Sequence, residues 1–168
     1  MTKRREYFLD LSDLDPRSSA GTVAQVHLRA VESTDLSALA GLMIESYRGT
    51  IDDEGETLED AVGEIEAYLA GERGGQPLLS ESRLALVDSV LVGACLAGDW
   101  DERQLPFIVY VMTHAEWKNR GVGKELLLAV LQAIRDRGHR EVRAVITEGN
   151  TPSEILFGRV GFREVGIA

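Results

Sequence analysis

The chain of 168 residues is 44% hydrophobic and 27% charged, and its 28 Asp and Glu outweigh 18 Lys and Arg for a formal charge of −10. That length supports one globular domain with a proper core, and the acidic balance argues against a nucleic-acid partner, because neutralising phosphates needs a positive surface. A lone cysteine, Cys95, excludes a disulfide framework, a thiolate zinc cluster and a CxxC motif; with no apolar run long enough to span a membrane and acids breaking the N-terminal apolar stretch, a cytoplasmic protein without a metal site is expected.

Residues 1–25 carry mixed charge and end in the polar run Pro16, Arg17, Ser18, Ser19, Ala20, Gly21, which reads as an N-terminal extension ahead of a packed domain over 26–168. VHLRAV alternates like a half-buried strand. Ser33, Thr34 or Asp35 can then cap a helix whose Leu36, Leu39, Leu42 or Met43, and Tyr47 recur at helical spacing. Thr57 and Asp60 form a capping-box pair before a second helix bearing Leu58, Ala61, Val62, Ile65, Tyr68 and Leu69 and stopping near Gly71.

From Arg83 the period shortens to RLALV and VLVGACLA, separated by Asp88 and Ser89, and then PFIVYVMT follows polar DWDERQ. This predicts a three-stranded antiparallel meander. The turn NRGVG feeds a helix with Val122, Leu126, Leu127, Val130, Leu131 and Ile134 on one face, closed by Arg135, Arg137 and Gly138. VRAVIT reads as a buried strand; Thr151, Pro152 and Glu154 suit the N-cap, first-turn proline and capping-box acid of a short helix ending at Gly161, and FREVGIA is left as a final edge strand. The order of elements is that of an α/β domain.

A strand entering a Gly-rich turn and a strong helix presents unpaired N–H groups and a positive dipole end, a site for phosphate. The dinucleotide fingerprint fails at Leu126, where a third glycine is needed, and the P-loop fails at Glu125, where Ser or Thr is needed. From Lys118 to Arg143, seven basic residues nevertheless face three acids, which suits a polyanion; the alternative is a tight connection that needs flexible glycines.

The run Val111–Lys124, VMTHAEWKNRGVGK, resembles the acyl-coenzyme A segment of the GNAT N-acetyltransferase superfamily, Q/R-x-x-G-x-G/A after a strand, here Lys118, Gly121, Val122 and Gly123. Asn150–Phe162, NTPSEILFGRVGF, resembles the second family segment, about 30 residues on. The resemblance implies a GNAT fold, a mixed and mostly antiparallel sheet flanked by helices, over about residues 26–168. It further implies transfer of an acetyl group from acetyl-CoA to a primary amine of a small molecule or protein, and it admits a homodimer. The donor would then be held by Val111, Met112, Thr113, Lys118, Asn119, Arg120, Gly121, Val122, Gly123, Lys124, Asn150, Ser153 and Phe157. Within that pattern Lys118 replaces a planar Gln or Arg fork, Phe157 stands where many members carry a proton-donating Tyr, and Phe107 stands where some carry a Glu base. Those two phenylalanines motivate a rival reading, a non-catalytic acyl-CoA binding regulator.

Residues 45–66 hold nine acids against Arg48 alone. They form either a solvated face or a funnel that draws a cationic amine to Asp52, Asp53 and Glu54. His27 reads as a packing residue and His139 as a helix-end or surface residue, while His114 is the histidine nearest the expected thioester. Cys95 reads as core, and Trp100 and Trp117 as packing or rim residues. The sequence names no general base.

Overall fold

The computed structural model describes residues 2–15 and 23–167, which form β1 (Arg4–Asp10), β2 (His27–Ala30), α1 (Leu36–Tyr47), α2 (Leu58–Leu69), β3 (Arg83–Val87), β4 (Val90–Trp100), β5 (Leu105–Thr113), α3 (Val122–Asp136), β6 (Glu141–Thr147), α4 (Thr151–Val160) and β7 (Arg163–Ile167). One seven-stranded sheet runs in the order β2-β3-β4-β5-β6-β1-β7. All its pairings are antiparallel except β5 with β6. The mixed, mostly antiparallel sheet with helical flanks agrees with the expected fold.

Local chemistry accounts for the elements. Asp88 and Ser89 take φ of 48° and 66°, the two positive values a tight hairpin turn requires, and they join β3 to β4. Thr57 Oγ1 accepts from the Asp60 N–H while the Asp60 carboxylate accepts from the Thr57 N–H, so α2 starts where its capping pair predicts. At α1 the Asp35 carboxylate instead accepts from the Glu32 N–H at 2.8 Å and from both terminal nitrogens of Arg29 at 2.9 and 2.7 Å. That contact ties the edge strand β2 to the helix start.

Two apolar layers sandwich the sheet. Val122, Leu126, Leu127, Val130, Leu131 and Ile134 are all buried on the α3 side; Leu39, Met43, Ile65 and Tyr68 fill the α1–α2 side with Leu96 and Met112. Ala94 to Ala97 of β4 are inaccessible, because a central strand covered on both faces has no solvent side. At Gly93 a Cβ would lie 2.9 Å from Leu126 and Val122 side-chain atoms, so glycine allows α3 to sit directly on β4.

The N-terminal boundary differs from expectation. Arg4–Asp10, read as extension, form a strand between β6 and β7, antiparallel to both, and Leu9, Leu11 and Leu14 are buried in the core. Glu6 is buried, with its carboxylate accepting from Arg103 and Arg143 at 3.0 Å each. The charges that hide this strand in the sequence are therefore paired by tertiary neighbours. The polar run Pro16–Gly21 lies outside the described residues. Two smaller differences concern His27, which is exposed on edge strand β2, and α4, which is capped by Asn150 rather than Thr151. Asn150 Oδ1 accepts from the Ser153 N–H at 3.3 Å, and the Glu154 carboxylate reaches back to the Gly149 N–H. Among the described residues no helix is long and apolar enough to cross a membrane.

Candidate active site

The parallel strands β5 and β6 pair only at Phe107 with Arg143 and Ile108 with Ala144, then diverge. On the other side of β5 the register with β4 shifts, with Leu96 opposite Tyr110 and Ala97 opposite Ile108. Val109 is thus the extra residue of a bulge, a feature that re-aims a strand. Between the diverging strands lies a cleft of about 650 Å³, lined by Val109 to Val111 on one lip, Val145 to Thr147 on the other, and Phe157 from α4. The Thr113 N–H points off the β4 side, since it donates to Ser46 Oγ of α1 at 3.0 Å. Residues two apart on a strand share a direction, so the Val111 N–H faces the split.

At the end of β5 the chain enters the glycine turn. Gly121 caps α3 with φ of 87°, a left-handed conformation that a side chain strains. The first backbone bond of the helix is from the Glu125 N–H to the Gly121 carbonyl, which leaves the amides of Val122, Gly123 and Lys124 without intrahelical acceptors. A Cβ at Gly123 would stand 3.4 Å from Leu156, 3.7 Å from Thr113 and 3.8 Å from Val111, so the absent side chain keeps open the passage from strand edge to helix start. Lys118 Nζ donates to the Ser46 carbonyl at 2.5 Å. With the Thr113 bond, this fastens both ends of the segment that leads into the turn to α1. Arg120 lies over the Trp117 ring at 4.7 Å, and the Glu125 carboxylate accepts from the Val23 N–H at 3.3 Å.

The opposite wall is acidic. Asp52, Glu54, Glu56, Glu59, Asp60 and Glu64 line the cleft. Glu64 accepts from Arg73 at 2.6 and 3.1 Å and from the Tyr110 hydroxyl at 2.8 Å. The Arg73 hydrogen bonds, then that of Tyr110, hold the Glu64 carboxyl below the usual carboxylate range against the opposing effect of burial. Burial first, then the Glu64 contact, raises the Tyr110 phenol. Tyr47 also lines the cleft, and burial followed by nearby Tyr110 and carboxylates pushes its phenol up. Both phenols stay protonated at neutral pH.

An acetyltransferase (GNAT) family model matches residues 40–162. The chain belongs to this family. A GCN5-related N-acetyltransferase from Sphaerobacter thermophilus is similar with a TM-score of 0.73 and 19% identity, covering 99% of this chain and 49% of that one. AAC(6')-Iy, solved with a bisubstrate analogue of CoA and acetylneamine, gives a TM-score of 0.59 and 23% identity over 84% of this chain and 92% of its own. A tandem GNAT protein from the clavulanic acid pathway gives 0.70 and 16%, covering 99% of this chain and 51% of that one. At these identities the likeness is one of fold, and the chain spans about half the length of the Sphaerobacter and clavulanic-pathway proteins. No curated protein matches.

Within the GNAT domain the expected donor residues divide by position. Val111, Asn150, Ser153 and Phe157 line the cleft, and Asn119 to Lys124 form the turn beside it. Met112 is fully buried on the α1–α2 side and its backbone turns to β4 opposite Ala94, so neither its side chain nor its backbone reaches the cleft, contrary to expectation. Lys118 is already engaged with Ser46, as is the Thr113 N–H. Of the three acids expected to meet the acceptor, Asp52 and Glu54 reach the cleft, whereas Asp53 accepts from the Gly49 and Gly55 N–H groups at 2.7 and 2.9 Å and organises its own loop. Those two bonds hold its carboxyl low. His114 is engaged locally, with Nδ1 accepting from the Glu116 N–H. Cys95 is fully buried and its thiol is pushed up by burial, which removes it as a nucleophile. Phe107 packs against Trp100 with ring centres 5.4 Å apart.

Sequence reasoning missed Glu64, Tyr110, Tyr47 and Ser46. Glu64 was one acid among nine, and only the approach of α2 to β5 distinguishes it.

Proposed function

We propose that this GNAT chain transfers an acetyl group from acetyl-CoA to a primary amine carrying positive charge. The carrying observation is a split between β5 and β6 with an open helix start and basic turn on one side and a wall of carboxylates on the other. The residues present fit the donor: amides of Val122 to Lys124 suit a pyrophosphate, Gly121 and Gly123 leave the approach clear, and the Val111 edge offers an N–H to an extended amide arm. The carboxylates suit an ammonium. Acyl-CoA supplies an activated thioester; attack by the amine nitrogen forms the C–N bond and breaks the C–S bond, and the sulfur departs with the bonding pair. Phe157 has no proton to give, and a thiol with a pKa of about 8.5 can leave as its anion. An edge N–H of β5 is suited to polarise the carbonyl. Glu64, held ionised by Arg73 and Tyr110, suits retention of a cation better than removal of its proton. One ammonium proton passes to water in the open mouth before attack, and the second leaves the nitrogen for water as the thiolate departs.

The experiment follows free thiol release from acetyl-CoA with a panel of amines. Release with cationic amines is expected, and the combined Asp52→Asn, Glu54→Gln and Glu56→Gln variant should raise KM for them with little change in acetyl-CoA affinity, the loss shrinking as salt is added. Acetyl-CoA binding without release for any amine would reject catalysis and favour the regulatory reading.

A further inference from the structure

Arg4 is a positive charge on the acidic side of the cleft. It opens β1, outside the residues matched by the family model, and pairs in register with Thr147 at the cleft lip. Every other charged side chain of β1 is engaged: Arg5 with Glu148 and Glu164 on the opposite face of the strand, Glu6 with Arg103 and Arg143, and Asp10 with Ser12. Arg4 is exposed and makes no hydrogen bond or ion pair among the described residues. Glu64, the carboxylate whose charge it feels, is already held by Arg73 and Tyr110.

A guanidinium that serves only to balance the wall would sit on one of its six carboxylates; one left free presents its planar fork to a ligand. For a pure polycation it only weakens the attraction of the wall. We propose that the acceptor is a cationic amine that also bears a carboxylate, and that Arg4 binds this carboxylate while Glu54, Glu56 and Glu64 face the ammonium groups. The inference rests on the transferase reading and adds the acceptor's second functional group, with Arg4 as the residue that selects it.

Matched amines that differ only in the carboxylate test it: lysine against cadaverine, ornithine against putrescine, and a lysine-terminated dipeptide against its C-terminal amide. The wild type should have the higher kcat/KM on the carboxylate-bearing member. Arg4→Gln should raise KM for that member at least fivefold, about 1 kcal/mol, leave the carboxylate-free member unchanged or improved, and keep acetyl-CoA affinity and melting temperature. Arg4→Lys should restore most of the difference. Preference of the wild type for the carboxylate-free members, or an equal effect of Arg4→Gln on both, overturns the proposal. Turnover of other amines with none of these pairs also overturns it while sparing the transferase reading, whereas no thiol release with any amine removes both.

Discussion

Asn150 Nδ2 donates to the Asp52 carboxylate at 2.8 Å, while Asn150 Oδ1 caps α4. One side chain thus joins the acidic loop after α1 to the start of the helix that carries Phe157. Asn150→Ala should lower stability by about 1 kcal/mol through the lost cap, seen as a fall of roughly 2–4 °C in melting temperature. It should also raise KM for the amine, because Asp52 loses its anchor. Asn150→Asp keeps the cap but sets two carboxylates together, so its melting temperature should recover at low pH. An unchanged KM in both variants would show that the bridge does not shape the acceptor site.

The glycine turn should respond in binding. Gly121→Asp imposes a left-handed backbone on a side chain and adds negative charge at the helix start, and Gly123→Val fills the space facing Leu156, Thr113 and Val111. Each should weaken acetyl-CoA at least tenfold by calorimetry, on the order of 1.4 kcal/mol or more. Unchanged affinity in folded variants would move the donor site elsewhere.

The pairing of Glu64 has a pH signature. Its folded-state pKa lies below the ordinary 4.5, so the unfolded chain takes up this proton first as the solution is acidified. The stability it contributes is complete above about pH 4.5 and drains away as pH falls through the folded value. Glu64→Gln removes that contribution. The gap in urea midpoint between wild type and variant should therefore be widest near neutrality and narrow toward pH 3, and a gap independent of pH would contradict the ion pair.

The strand β1 should be indispensable. A variant lacking residues 2–11 loses two buried leucines, exposes the edge of β6 and leaves β7 without its partner; loss of cooperative unfolding is expected. The milder Glu6→Ala removes the two charge-assisted bonds from Arg103 and Arg143, but Arg103 is half exposed and Arg143 keeps Glu141, so it should cost about 2 kcal/mol, measured as a lower urea midpoint at constant slope. Near-native stability of the truncated chain would mean that β1 is a peripheral addition.

Where the determinants of a feature lie within one element, the residues alone decide it. The apolar face of α3 follows from periodicity, the start of α2 from Thr57 and Asp60, the β3–β4 hairpin from Asp88 and Ser89, and the turn at Gly121 and Gly123 from their place between strand and helix. Each depends on neighbours a few positions apart. Tertiary structure decided the rest through partners that no local pattern names. The sequence RREYFLD reads as a charged tail until Arg103, 97 residues from Glu6, and Arg143, 137 residues from it, neutralise its buried carboxylate. Asp52 and Asp53 are equivalent in sequence, yet one turns to Asn150 and the other to Gly49 and Gly55. Glu64 and Arg4 enter the site only because α2 crosses β5 and β1 is inserted beside β6, and such long-range pairings are set by packing and ladder closure rather than by local preference.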